Sequence, residues 1–204
     1  PSDKDGNPMS FEFDVDGNKK NIYFAAFSPT AINYLNDKVI SQSKDKEIKF
    51  TYSPKSLSKF SSLIEIEKKK SKKEVLDIIY IPDPEQKEIS KKLLLEQGYK
   101  KDNIDNFVQN NPMIFCPNPT VTATEKNTKS SYIPCSTDYI TMKGLVDKAK
   151  IKKKYPWSKV VKPKVMAIPL SQFINTLRTS EEDNIKEIKV IPTPASIKVI
   201  NQVN

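Results

Sequence analysis

The 204-residue chain contains no histidine. That absence removes the commonest general base near neutral pH, the partner that activates serine and cysteine nucleophiles, and most transition-metal sites. Glycine is nearly as scarce. Gly6, Gly17, Gly98 and Gly144 lie too far apart to build a Walker loop or a dinucleotide-binding turn, so phosphate cradling by a glycine-rich loop is excluded. Arginine occurs once, at Arg178, and the formal net charge of +9 is carried almost entirely by lysine. Base readout and bidentate phosphate clamps favour arginine, so this basicity argues only weakly for nucleic acid. The many lysines, asparagines and isoleucines point instead to an A/T-rich genome. No apolar run approaches the roughly 18 residues of a spanning helix. The chain opens on Pro1 without an initiator Met, which reads as a mature or trimmed product whose targeting segment is absent. No metal, nucleotide or other cofactor is expected.

Cysteine is limited to Cys116 and Cys135. The two face each other across a hairpin if their strands pair, and a disulfide is then open to them. Two cysteines are no framework, however, and a free buried thiol is the commoner outcome.

What remains is a chain with 37% hydrophobic residues, enough for a real core. Phe11, Phe13 and Val15 alternate with acidic residues, Asp16-Gly17 supplies a tight turn, and an apolar run from Ile22 to Phe27 completes a hairpin. From Pro29 the spacing becomes helical through Ala31, Ile32, Tyr34, Leu35 and Val39. Ile48, Phe50 and Tyr52 predict a strand, and Leu57, Phe60 and Ile64 a short helix. A lysine-rich loop follows, then a strand from Val75 to Ile81. Ile89, Leu93, Leu94 and Leu95 mark a helix stopped by Gly98.

The second half repeats this order. Pro8-Met9-Ser10-Phe11 recurs as Pro112-Met113-Ile114-Phe115, and Lys20 and Tyr23 recur as Lys129 and Tyr132, with an insertion in the hairpin loop around Thr124 to Thr128. Ile81-Pro82-Asp83-Pro84 recurs as Ile191-Pro192-Thr193-Pro194, a shift of 192 − 82 = 110 positions. Val165 to Ile168 stands for the Ile48 to Tyr52 strand, and Leu170, Phe173, Ile174 and Leu177 for the Leu57 and Phe60 helix. The expected fold is α/β (α+β), with two pseudo-twofold-related halves, each a β-hairpin plus strand-helix units. Residues 1–110 and 111–204 form the two repeats of one compact domain, with apolar clefts where helices meet sheets.

Asp14 with Asp16, Asp83 with Glu85, and Glu181, Glu182 and Asp183 are the acidic clusters open to acid/base work or to a hard metal ion, but all three sit at turns or helix starts, where carboxylates ordinarily cap. No catalytic residue is assigned. Lys68, Lys69, Lys70, Lys72 and Lys73 form a candidate basic surface, and Lys152 to Lys154 a second run. Both read first as solvated loops and second as contacts for anionic membrane or nucleic acid. Trp157, after Tyr155-Pro156, is either a partner anchor or a ring packed over a helix end. The helix faces with Ile32, Leu35, Phe60, Ile64, Leu94, Phe107, Phe173 and Leu177 hold more large apolar residues than polar neighbours can hide; most of these must be core, and a subset lining an open groove is the functional possibility. They are the candidate apolar groove.

Val75 to Leu95 (VLDIIYIPDPEQKEISKKLLL), Val165 to Leu177 (VMAIPLSQFINTL) and Ile185 to Ile200 (IKEIKVIPTPASIKVI) give the chain a resemblance to the Tic family, the twenty-two-kilodalton component of the translocon at the inner envelope of chloroplasts. The resemblance covers nearly the whole chain, and the A/T-rich composition favours its apicoplast branch. It implies a butterfly-like pseudo-twofold body with apolar pockets, located in the envelope intermembrane space or peripheral to the inner membrane. It further implies a chaperone-like, non-enzymatic role in protein import, escorting preproteins between outer and inner translocon components. The lysine insert at Lys68 to Lys73 and the longer second hairpin loop depart from the pattern. Transit peptides are basic, so a protein at +9 must grip them through apolar contacts and not by charge. The competing reading is a basic adaptor on anionic membrane or nucleic acid, and the third is an enzyme using carboxylates alone.

Overall fold

A computed structural model describes residues 10–15, 18–42, 76–152, 163–179 and 187–203. The alternation at residues 11–15 forms strand β1 (Ser10–Val15), paired antiparallel with β2 (Asn18–Ala26) so that Ser10 faces Tyr23 and Val15 faces Asn18. Helix α1 (Pro29–Gln42) follows. Pro29 sits at its first position, where a missing N–H costs nothing, and the Ser28 hydroxyl accepts the Ala31 N–H at 3.1 Å. Strand β3 (Leu76–Ile81) then lies parallel to β2, with Ala26 opposite Ile81. Ala31, Leu35 and Ile81 form the core of this unit, with Phe24 and Ala26 packed against them. Phe27 stacks on Tyr80 at 5.8 Å between ring centroids. The strand, helix and lysine loop expected between Ile48 and Lys73, with Phe60, Ile64 and Lys68 to Lys73, lie outside the described residues, as do Trp157 and Glu181 to Asp183.

The chain packs as two units, Pro1–Ile81 with Val199–Asn204, and Pro82–Lys198. In the second, Asp83 caps a 3₁₀ turn at Pro84–Gln86, its carboxylate accepting the Glu85 N–H at 2.9 Å. This is the capping role its position suggested. Helix α2 (Lys87–Glu96) ends in a Schellman motif, the Tyr99 N–H reaching the Leu94 carbonyl and the Gly98 N–H the Leu95 carbonyl, both at 3.0 Å. The motif needs a left-handed residue, and Gly98 supplies it at φ 90°. Helix α3 (Ile104–Asn110) leads into β4 (Met113–Asn118). Then come β5 (Ala123–Thr124), β6 (Ser131–Ser136), α4 (Tyr139–Lys152), β7 (Lys164–Pro169), α5 (Leu170–Thr179), β8 (Ile188–Ile191) and α6 (Pro194–Val203).

The second sheet runs β5-β6-β4-β7, with β8 added parallel to β6. Leu93, Leu94, Ile104, Val108, Met113, Phe115, Met142, Val146 and Ala167 form its core, so α2, α3 and α4 cover one body of apolar side chains. Tyr139 meets Phe115 edge-on at 5.9 Å. Gln86 ties the 3₁₀ turn to the start of α4, donating to Asp138 at 3.0 Å and accepting the Tyr139 N–H at 3.1 Å.

The 110-residue offset reappears in the described elements. Ser28 and Asp138 cap the two 14-residue helices α1 and α4, Asp138 accepting the Thr141 N–H at 2.7 Å. Asp83 and Thr193 cap the turns after β3 and β8, Thr193 accepting the Ser196 N–H at 3.0 Å. Ala26 faces Ile81 as Ser136 faces Ile191, both steps being 136 − 26 = 191 − 81 = 110.

Cys116 and Cys135 form a disulfide between β4 and β6, with Cα atoms 4.5 Å apart. Of the two outcomes open from the sequence, the free thiol is therefore corrected to the bridge. The cause is the strand register, which sets the two residues opposite each other.

Candidate functional site

Six of the eight candidate groove residues lie among the described residues, and they separate by burial; Phe60 and Ile64 lie outside. Leu94 is 0% exposed, Phe173 4% and Leu35 7%, so these three are core residues and do not line an open surface. Helical spacing identifies an apolar face but not whether a neighbouring element covers it. Leu94 is covered by the sheet, α3 and α4. Ile32 and Phe107 are half-buried, and Leu177 is exposed.

Phe107 does line a cavity. With Tyr99, Lys100 and Ile104 it lines an open hollow of about 190 Å³ where α2 turns into α3. The Schellman turn places Tyr99 immediately after α2, its ring 6.1 Å from Phe107 and its hydroxyl donating to Gln172 on α5 at 3.4 Å. Among the lining residues Ile104 is buried, Tyr99 is 38% exposed and Lys100 is exposed. A volume of 190 Å³ falls short of the roughly 300 Å³ at which small-molecule sites begin. Tyr99 and Ile104 were missed in the sequence. The signal available was Gly98 itself, because a Schellman glycine is commonly followed by an apolar residue that packs back on the helix.

Other large apolar side chains stand free on the second unit. Ile140 is 70% exposed, and Leu95, Val190 and Ile197 are also exposed. On the first unit Tyr34 and Ile79 are exposed, Tyr34 lying under the Lys38 ammonium at 5.7 Å from the ring centroid.

Some of the described charged groups form surface pairs. Lys91 meets Asp105 at 2.6 Å, and its donated hydrogen bond holds the Asp105 carboxyl below the usual range while the Lys91 ammonium is raised. At the second hairpin, Glu125 accepts from Thr128 at 2.7 Å and from Lys189 at 3.2 Å, and these bonds lower its carboxyl. Lys189 also lies 5.1 Å from the Tyr132 ring centroid. Among the described residues no three His, Cys, Asp or Glu side chains gather to hold a metal ion. No described helix is long and apolar enough to cross a membrane.

No protein-family model matches this sequence. No curated protein matches it either. The solved structure described as "Anabaena Tic22 (protein transport)" matches 100% of this chain and 90% of its own, with a TM-score of 0.66 and 14% sequence identity. The chain has the Tic22 fold. Tic22 from Plasmodium falciparum agrees, with a TM-score of 0.61 and 16% identity over 95% of this chain and 87% of that one. The Tic22 fold accounts for the mixed strand-helix order expected from the sequence. At these identities it speaks for the backbone and not for individual side chains.

Proposed function

We propose that this chain is a non-enzymatic, chaperone-like component of plastid protein import, apicoplast in its A/T-rich setting, that holds preproteins between outer and inner translocons. It would work in the envelope intermembrane space or peripheral to the inner membrane. The observation that carries the reading is the Tic22 fold over the whole chain, one of whose bearers is described as a protein of protein transport. The cavity at Tyr99, Lys100, Ile104 and Phe107 supports it, since it is sized for a side chain of a bound polypeptide. The exposed Leu177 and Ile140 supply further apolar contact, and Ile32, Phe60 and Ile64 remain candidates on the first half.

The test is suppression of heat aggregation of an unrelated enzyme. Equimolar protein should slow aggregation without ATP and retain the effect in about 0.5 M salt, because apolar contacts are not screened whereas lysine-to-phosphate contacts are. Tyr99→Asp should abolish the effect while leaving the circular dichroism spectrum unchanged. Loss of suppression by the wild type in salt would instead favour the basic adaptor with its Lys68 to Lys73 run. Absence of suppression by folded protein at any ratio and salt would refute holding activity.

A further inference from the structure

The second sheet contains one weak junction. Six residue pairs register β4 on β7, from Met113 opposite Pro169 to Asn118 opposite Lys164, and four register β6 on β8. Between β4 and β6 a single pair is registered, Phe115 opposite Ser136. In the strand order this junction alone joins β4 and β7 to β5, β6 and β8 among the described residues.

The sequence explains why the ladder stops. One step from Phe115 and Ser136 stand Cys116 and Cys135, whose Cα separation of 4.5 Å is that of a pair which exchanges no backbone hydrogen bonds in an antiparallel ladder. The next step, where two such bonds belong, sets Pro117 opposite Pro134. Neither proline has an N–H, so neither bond can form. Both prolines are buried, which denies the orphaned positions easy access to water. Proline is confined in most sheets to edges and bulges, yet here two meet at an interior junction beside a buried disulfide. Cys135 is 1% exposed.

We propose that the Cys116–Cys135 bond is the latch of this sheet, standing in for the ladder that Pro117 and Pro134 interrupt, and that the protein resides in a thiol-oxidising compartment. The bond forms by thiol–disulfide exchange with a disulfide donor, small molecule or protein. A Cys116 or Cys135 thiolate attacks the donor to give a mixed disulfide and release one donor thiol. The second protein thiolate displaces the other donor sulfur, so two electrons and two protons pass to the donor. A reducing compartment would reverse this exchange and leave β6 and β8 joined to β4 by little more than the Phe115 and Ser136 pair.

The test is independent of any client, so it stands or falls separately from the import reading. Cells expressing the full chain in its native setting are quenched in acid and treated with a maleimide polymer before and after reduction. Both cysteines should be protected before reduction and modified after it; free thiols before reduction would overturn the compartment assignment. In the purified protein, reduction should lower the melting temperature of the second unit by about 10 °C or more, as expected for closing a loop of this size. The Cys116→Ala/Cys135→Ala variant should show the same loss, or fail to fold. Adding Pro117→Val and Pro134→Thr returns two backbone donors and should recover a substantial part of the lost stability. An unchanged melting temperature on reduction, or no recovery when the donors are restored, would overturn the latch.

Discussion

Gln97 closes the outer edge of β7 by pairing with the backbone of Ala167 as a strand would. Its side-chain amide accepts the Ala167 N–H at 2.8 Å and donates to the Ala167 carbonyl at 2.9 Å. Edge strands invite pairing with other chains, and here a side chain from the end of α2 occupies the vacancy. Gln97→Ala should cost about 1–3 kcal/mol in urea unfolding, because both backbone groups lose their partner. Gln97→Glu keeps the acceptor and loses the donor, so its cost should be intermediate. Equal stability of all three proteins would show that water serves Ala167 as well.

Leu94→Ala should destabilise the second unit by about 2–5 kcal/mol, measured by chemical denaturation. Leu94 is fully buried among Phe115, Met142 and Val108, and little around it can collapse into the space left. Leu177→Ala, on the exposed side of α5, should change stability by less than about 0.5 kcal/mol.

Gly98→Ala tests the turn that presents Tyr99. A Cβ at Gly98 meets nothing within 4 Å, so the cost is purely that of holding an L-residue at φ 90°, about 1–2 kcal/mol. Gly98→Asn should cost less, as asparagine tolerates the left-handed region better. A cost well above that for Gly98→Ala would mean the cavity wall had moved.

The Lys91–Asp105 pair gives a pH dependence of known sign. The Asp105 carboxyl is held below its ordinary 3.8 chiefly by the hydrogen bond from Lys91, so the folded state binds its proton less readily than the unfolded chain. The contribution is therefore complete above the ordinary carboxylate range and disappears as pH falls through the lowered value. Asp105 is exposed and Lys91 only half-buried at the surface, so solvent screens the pair and the effect on stability is small. Carboxyl-carbon NMR should show Asp105 titrating below 3.8 in the wild type and returning upward in Lys91→Ala. An unaltered titration in that variant would remove the pair as cause.

Much of the fold was legible because it is local. Pro29, Gly98 and the Ile81-Pro82-Asp83-Pro84 turn are recognisable from single residues and their neighbours, and the structure places element boundaries at each. The candidate site was less legible. Phe107 and Phe173 are equally apolar and equally helical in sequence, yet one lines a cavity and the other is buried, because that depends on which distant element packs above them. The disulfide was undecidable for the same reason: nineteen residues of separation do not fix register, and the opposed prolines acquire meaning only once their strands are paired.

Each sheet is completed by a strand that arrives late. Ala26 finds its parallel partner in Ile81 and Ser136 in Ile191, in both cases 55 residues further along. A nascent chain can form the β1–β2 hairpin as soon as residue 26 is free, but β2 must wait, one side unpaired, for a further 55 residues before β3 can dock. Pairings this far apart in sequence slow folding, because the intervening chain must be brought back before either parallel ladder can form. Until its late partner arrives, each of β2 and β6 presents an unpaired edge, the kind of surface that exposes a folding chain to aggregation.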